Sequence, residues 1–508
     1  MITNSTRMTQ ILADLRGLKD IAVKRCAVQS NGSTMIRTKN RSCLHHRWAQ
    51  KKDDKKNKTC LNPYDVTPCF SKFTRTFTFF SASSASNKLF WVLSAIIRPI
   101  RVIRVLFALS LCCIALQPAR ADVIPGIDIL AGRNFDLLQG KQVGLITNHT
   151  GRSLNGSSSI DLLAQAPGIQ LIALFSPEHG IRGDSDVKLS SSTDNRTGLP
   201  VHSLYGRTCR PTEEMMTGIQ ALVFDIQDIG ARFYTYIGTL HHALLAARQQ
   251  GIPLVVLDRP NPLGGVVVEG AVPDAAEVAH RIAADTTGCR SLTVTHPIPT
   301  RHGLTIGELA RLINAEAGIN ADLQVVTMEG WQREQLWQDT GLAWVNPSPN
   351  MKDPIAALLY PGFGPLEATN LSVARGTDKP FHYYGAPWLD PTAVLKNLPE
   401  LPGLSFSAVS FIPAAPGHPY QGKQCHGVKV VITDLQIANL PLAGLHLVQA
   451  IQRTHPKQYR AAGGFYGMLG DNLAWKLLRE GITPERIMAR WQGGIEQFKK
   501  LRETYLLY

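Results

Sequence analysis

From Gln142 onward, short apolar runs alternate with helical patterns. The runs 143–147, 169–175, 221–224 and 253–257 are rich in Val, Ile, Leu and Phe. Their length and composition predict strands buried on both faces. Between them, 158–166 predicts a helix and a short helix is expected near 212–216. Tyr236, Leu240, Leu244 and Ala247 then recur at helical spacing before Gly251. Strands separated by single helices are βαβ units, so 122–290 predicts an α/β fold, a Rossmann-like doubly wound parallel sheet. Beyond Pro297 the pattern is less regular. Helices are expected at 305–317 and 483–505. The second has Pro484 in its first turn and a stripe of Ile487, Trp491, Ile495, Phe498 and Leu501. One alternating strand, 427–433, stands among Pro- and Gly-rich loops. Residues 291–508 therefore predict a smaller α+β domain packed on the first.

Charge changes the picture of the front end. The 508-residue chain has a formal charge of +14, which taken whole suggests a nucleic-acid or anionic-membrane partner. Residues 1–121, however, hold 21 Lys+Arg and 5 Asp+Glu, leaving 32 and 34 for the other 387 residues. The basic character belongs to the leader, and no nucleic-acid partner is expected for the rest. Residues 1–97 read as a solvated basic tail, including the run from Lys51 to Lys58. At 44% hydrophobic residues, the remainder has enough apolar material for a large core.

Arg98, Arg101 and Arg104 precede the apolar run 105–116, which is followed by Ala119-Arg120-Ala121. A charged region, a 12-residue apolar stretch and an A-x-A site form the layout of a secretory signal peptide. Residues 98–121 are therefore expected to be removed, leaving a periplasmic or secreted protein with no stable membrane insertion. A signal peptide belongs at an N-terminus, so translation is expected to start near Val102. Of nine cysteines, only Cys209, Cys289 and Cys425 lie beyond it. That allows one disulfide and one thiol, and no spacing suggests zinc or another metal.

In open parallel sheets, ligands bind beyond the carboxyl ends of the strands. Polar residues gather there: Asn148 and His149 after the first run, Ser-Pro-Glu178-His179-Gly-Ile-Arg182 after the second, Asp225-Ile-Gln-Asp228-Ile-Gly-Ala-Arg232-Phe-Tyr234-Thr-Tyr236 after the third, and Asp258-Arg-Pro-Asn261-Pro after the fourth. Singly, Asp228 and Asp258 are as easily turn or cap residues. Glu178, fixed between Pro177 and Gly180, is the stronger functional candidate. No dinucleotide fingerprint, Walker A sequence or G-x-S-x-G elbow is present. A cleft of carboxylates, arginines and tyrosines in an exported protein suits glycoside hydrolysis without a cofactor, in which a protonated acid assists the leaving oxygen.

Those segments, with Pro347-Ser-Pro-Asn350-Met, Arg375-Gly-Thr377 and Gly385-Ala-Pro387, resemble the exo-β-N-acetylmuramidase family, across essentially all of 122–508. The resemblance implies a Rossmann-like catalytic domain, an auxiliary domain, and an active site in the cleft between them. It implies release of N-acetylmuramic acid from non-reducing ends of peptidoglycan fragments lacking stem peptides. Carried over by position, Glu178 is the catalytic acid and Glu269 a candidate second carboxylate. Arg182, Arg232 and Arg375 are candidates to read the sugar's lactyl carboxylate, and Asn350, Asn370 and Arg375 to close the end of the site. His179, Asp225, Asp228, Tyr234, Asp258 and Asn261 complete the expected substrate contacts. Two positions depart from the family pattern: Val373 stands where an acid is expected, and His149 where a proline is. The rival from another class is a sugar- or peptidoglycan-fragment-binding protein without turnover. A nucleotide-dependent transferase is disfavoured by the missing phosphate loops.

Overall fold

The computed structural model describes residues 123–182 and 192–508, all within one compact unit. The leader expected at 98–121, the basic segment before it, and the Asp184 and Asp186 pair lie outside the described residues. Seven strands form the main sheet: β1 (Gln142–Thr147), β2 (Gln170–Ser176), β3 (Ser192–Thr193), β4 (Pro200–Ser203), β5 (Ala221–Asp225), β6 (Leu254–Leu257) and β7 (Leu323–Val326). Their order is β3-β4-β2-β1-β5-β6-β7. All pairings are parallel except that of β3 with β4. The chain leaves β1 in one direction and returns to its other side for β5. The carboxyl ends of β1 and β5 thus flank the topological switch point, where such sheets bind ligands.

Both faces of the sheet are covered. Val143, Leu145, Val223, Val255 and Leu257 point into one core with residues of α1 (Gly126–Gly132) and α2 (Ser159–Gln165). Their strand neighbours Ile146, Leu222, Phe224, Leu254 and Val256 point into the other. That core contains α3 (Thr235–Gln250) and α5 (Ile306–Glu316), and α4 (Ala275–Ala283) precedes α5 in the chain. Period-two alternation with both faces apolar gives the unbroken runs seen in the sequence. Tyr236, Leu240, Leu244 and Ala247 are buried as expected, but so are Ile237, His241, His242 and Ala243. The helix is enclosed on several sides. Residues 212–216 form turns rather than the expected helix.

The sheet also runs further along the chain than expected. α5 and β7 complete it, so the boundary at 290 falls inside the first layer system, which reaches Val326. The connection from β6 to α5 is long, and it hides the last βαβ unit. Thr305 starts α5 with a capping box to Glu308, the arrangement that satisfies exposed N–H groups at a helix start.

The second layer system holds an antiparallel sheet of β8 (Tyr383–Ala386), β9 (Leu404–Phe411) and β10 (Cys425–Ile432), with β10 central. β10 is the alternating run expected at 427–433. Around it lie α6 (Pro354–Phe363), α7 (Pro391–Lys396), α8 (Leu440–Thr454), α9 (Gly464–Leu469), α10 (Ala474–Arg479) and α11 (Pro484–Arg502). α6 and α8 cross at Gly362 and Gly444, where a Cβ on Gly444 would collide with the Gly362 carbonyl. Ile487, Trp491, Ile495 and Phe498 of α11 are buried, whereas Leu501 is exposed. Cys209 and Cys289 form a disulfide across 80 residues, and Cys425 is a buried thiol. Among the described residues, no helix is long and apolar enough to cross a membrane.

Candidate active site

β2 ends at Ser176, and the chain turns through Pro177, Glu178, His179 and Gly180. His179 and Gly180 adopt φ of 73° and 79°; a left-handed non-glycine residue is uncommon and costs energy that the surroundings must supply. The turn brings the half-buried Glu178 to the start of α3. There the Thr235 hydroxyl donates to Glu178 Oε2 at 2.9 Å. The preceding Tyr234 is buried and packs edge-on to Tyr236, with ring centroids 4.9 Å apart. Tyr236 donates to the Pro347 carbonyl at 2.6 Å and accepts from Asn148 Nδ2 at 2.9 Å. Asn148 Oδ1 in turn accepts from the Thr150 amide at 2.9 Å. The end of β1, the start of α3 and the segment 346–351 therefore meet at Tyr236, and the turn after β2 joins them through Glu178 and Thr235.

Burial pushes the Tyr234 and Tyr236 phenols well above their ordinary range, and the nearby charges of Glu178 and Asp228 push the same way. Both tyrosines are hydrogen-bond donors at neutral pH. Asp228 is itself buried, with Oδ2 accepting from the Gly230 amide at 2.7 Å. Its Oδ1 has no hydrogen-bond partner among the described residues. Burial raises this carboxyl to about 7, against the lowering effect of the Gly230 and Ile229 amides. A carboxyl titrating near neutrality beside two tyrosines can hold or release a proton at working pH.

The facing wall comes from the second layer system. Tyr360 of α6 packs edge-on to Tyr234, with centroids 6.2 Å apart, and to Phe381 at 5.0 Å. Arg375 lies over the Phe381 ring at 5.3 Å and pairs with Glu367 at 3.0 Å. Asn350 Oδ1 accepts from the Gly376 amide at 2.9 Å, fixing the loop that carries Arg375. Ala374 and Phe381 have φ of 60° and 64°, so strained backbone occurs on both walls. Among the described residues no group of three His, Cys, Asp or Glu is placed to hold a metal.

Other expected substrate contacts are committed to the protein itself. Asp225 is fully buried and paired with Arg259 at 2.5 and 2.8 Å, with Ser159 also donating to it. Asp258 accepts from the Gly307 amide, Thr305 and Tyr508, each at 2.8 Å, and so anchors α5 and the last residue. Asn261 bonds the Leu304 carbonyl and the Leu263 amide, organising a turn. Arg232 is buried and clasps the carbonyls of Thr293, Gly467 and Met468, tying the first layer system to α9. Asn370 holds the Gln458 carbonyl and the Arg460 amide. Arg182 binds Asp194 through two nitrogens at 3.0 and 2.9 Å. Glu269 is raised by burial and pairs with Arg301 at 3.3 Å; none of its hydrogen bonds reaches the Glu178 turn. Buried polar side chains need partners, and here the framework supplies them.

Models of two families match in tandem: exo-β-N-acetylmuramidase NamZ N-terminal over residues 143–355, and its C-terminal counterpart over 358–508. The chain is 42% identical over 397 residues to the peptidoglycan β-N-acetylmuramidase NamZ of Bacillus subtilis, covering 77% of this chain and 92% of that one. The chain belongs to the exo-β-N-acetylmuramidase NamZ family. Two crystal structures of DUF1343 family proteins from Bacteroides fragilis share its fold. One has a TM-score of 0.68 at 34% identity, covering 77% of this chain and all of its own. The other has 0.60 at 29%, covering 76% and 99%.

The two departures from the family pattern now have surroundings. Val373 is buried in the main core, so its position is occupied by packing. His149 Nε2 donates to the Asn346 carbonyl at 2.6 Å, tying β1's end to the 346–351 segment. Thr235, Tyr360 and Glu367 join the site without having been singled out in the sequence. Thr235 lay inside a motif whose larger residues drew attention. Tyr360 and Glu367 depend on how α6 docks against Tyr234, which no local pattern states.

Proposed function

We propose that this protein is an exo-acting glycoside hydrolase that releases N-acetylmuramic acid from the non-reducing ends of peptidoglycan fragments lacking stem peptides. Membership of the family supports the reaction. The observation that carries it is Glu178, held by Thr235 at the carboxyl edge of the sheet with Tyr234 and Tyr236 beside it. Glu178 protonates the leaving oxygen, and Asp228 is better placed than Glu269 to act as the second carboxyl. Arg375, across the tyrosines, is the candidate to read the lactyl carboxylate through a charge-assisted contact. Residues 98–121 act as a signal peptide, which places the mature chain in the periplasm or outside the cell. A disulfide in the described residues fits an oxidising compartment.

A chromogenic N-acetylmuraminide offered to wild type and Glu178→Gln tests the reading. Release by wild type and its loss in the variant are expected. Binding by both without release by either would establish a binding protein instead.

A further inference from the structure

Arg375 stands on a fixed loop. Its carbonyl accepts from the Ala414 and Ala415 amides at 3.2 and 3.3 Å. The next residue, Gly376, has φ of 79°, donates its amide to Asn350, and lies so close to Ala415 that a Cβ would collide. A fixed backbone still leaves a long arginine side chain several rotamers unless its head is held. Two groups hold it. The guanidinium lies over the Phe381 ring, and Nη2 donates to Glu367 Oε1 at 3.0 Å. The ring supports the guanidinium, and the carboxylate fixes its direction. Fixing one corner of a planar fork sets the direction of its other N–H groups.

Glu367 is itself built in. It belongs to a short 3-10 helix, Gly364–Ala368, that follows α6 directly. Leu366 before it is buried, and the Leu366 carbonyl accepts from the amide and the hydroxyl of Thr369 at 3.1 and 2.6 Å. A Cβ on Gly364 would press on Phe233 and Tyr360, so this helix lies close against the rings of the site. Burial first, and then the Glu367 charge, push the Tyr360 phenol well above its ordinary range, while the Arg375 charge acts the other way. Carboxylate, guanidinium and phenol thus gather at Tyr360, whose ring packs on Tyr234. The Glu367 and Arg375 side chains each keep 19% of their surface exposed, so a ligand can reach the pair. The acid that the family pattern expects at 373 is a buried valine here, and Glu367 supplies the carboxylate beside Arg375.

We propose that Glu367 is a positioning residue that sets specificity, holding one corner of the Arg375 guanidinium so that the fork is aimed at the free carboxylate of the bound sugar. It rests on the proposed role of Arg375 as the group that reads that carboxylate. Glu367 acts by accepting a hydrogen bond, so an amide at this position serves nearly as well.

The test is calorimetric titration of the intact protein with N-acetylmuramic acid and with its methyl ester, which has the same ring and a capped carboxylate. Wild type should prefer the acid. Glu367→Leu should bind the acid roughly tenfold more weakly, the loss of one aimed charge-assisted contact, and bind the ester within about twofold of wild type. Glu367→Gln should recover most of the affinity for the acid. A fold defect would weaken both ligands together. Unchanged or tighter binding of the acid by Glu367→Leu, equal weakening of acid and ester, or no recovery in Glu367→Gln would overturn the assignment. Arg375→Leu separates the two readings. If it keeps the preference for the acid, the role of Arg375 fails and the role of Glu367 with it. If it loses the preference while Glu367→Leu keeps it, only the role of Glu367 fails.

Discussion

Replacing Thr235 by Val removes one hydroxyl and keeps the side-chain volume. That hydroxyl donates to Glu178 Oε2 at 2.9 Å from the first residue of α3. The carboxylate sits in a turn whose next two residues are both left-handed, so its aim depends on that contact and on backbone already under strain. A hydrogen bond to a charged group contributes about 1.5–3 kcal/mol. If the contact serves to aim the acid in the transition state, its loss lowers kcat by roughly 10- to 150-fold, at about 1.4 kcal/mol per tenfold. KM should move little, because the hydroxyl faces Glu178 rather than the sugar. The assay is steady-state release from a chromogenic N-acetylmuraminide, with thermal melting to show the fold intact. The Thr235→Ser variant, which keeps the donor, should recover most of the rate. A Thr235→Val enzyme with kcat within about twofold of wild type would refute the claim that this contact aims the acid.

Other consequences follow from the buried framework. Arg259→Met leaves Asp225 as a buried, unpaired charge and should cost about 3–5 kcal/mol in urea unfolding, whereas adding Asp225→Asn should recover much of the loss. Tyr508→Phe removes a donor to Asp258 and an acceptor for the Met328 amide; a loss of about 1–3 kcal/mol is expected. Burial lowers His241 to about 2 and His242 and His296 to about 4. With folded values below the unfolded 6.5, their contribution is full above that pH and is lost as pH falls through 6.5 toward 4, because the unfolded chain then binds more protons. Unfolding midpoints measured from pH 7 to 4.5 should fall, and the fall should be shallower in His296→Asn.

The parallel sheet was legible because both of its faces are buried, which turns strands into unbroken apolar runs with polar residues collected at their ends. β7 was missed because a long connection separates it from β6, and β3 is only two residues long. Glu178 could be singled out as a candidate in the sequence because proline and glycine bracket it. Composition could not separate candidate site acids from framework acids. Asp225 and Asp258 lie at the carboxyl edge of the sheet, as does Asp228 in the loop beyond β5, and only their partners distinguish them. Arg259 and α5 consume the first two, while Asp228 keeps a carboxyl oxygen unpartnered among the described residues. Arg232 looked equally suited to a sugar carboxylate, but the carbonyls that occupy it come from residues more than 60 positions away.

Mass spectrometry of the products tests exo-acting release of N-acetylmuramic acid most directly. Peptidoglycan fragments stripped of stem peptides, with N-acetylmuramic acid at the non-reducing end and a label at the reducing end, are incubated with the mature protein. Free N-acetylmuramic acid and a labelled fragment shorter by one sugar are expected. Internal cleavage, or no shortening under conditions where the fragment binds, would contradict it.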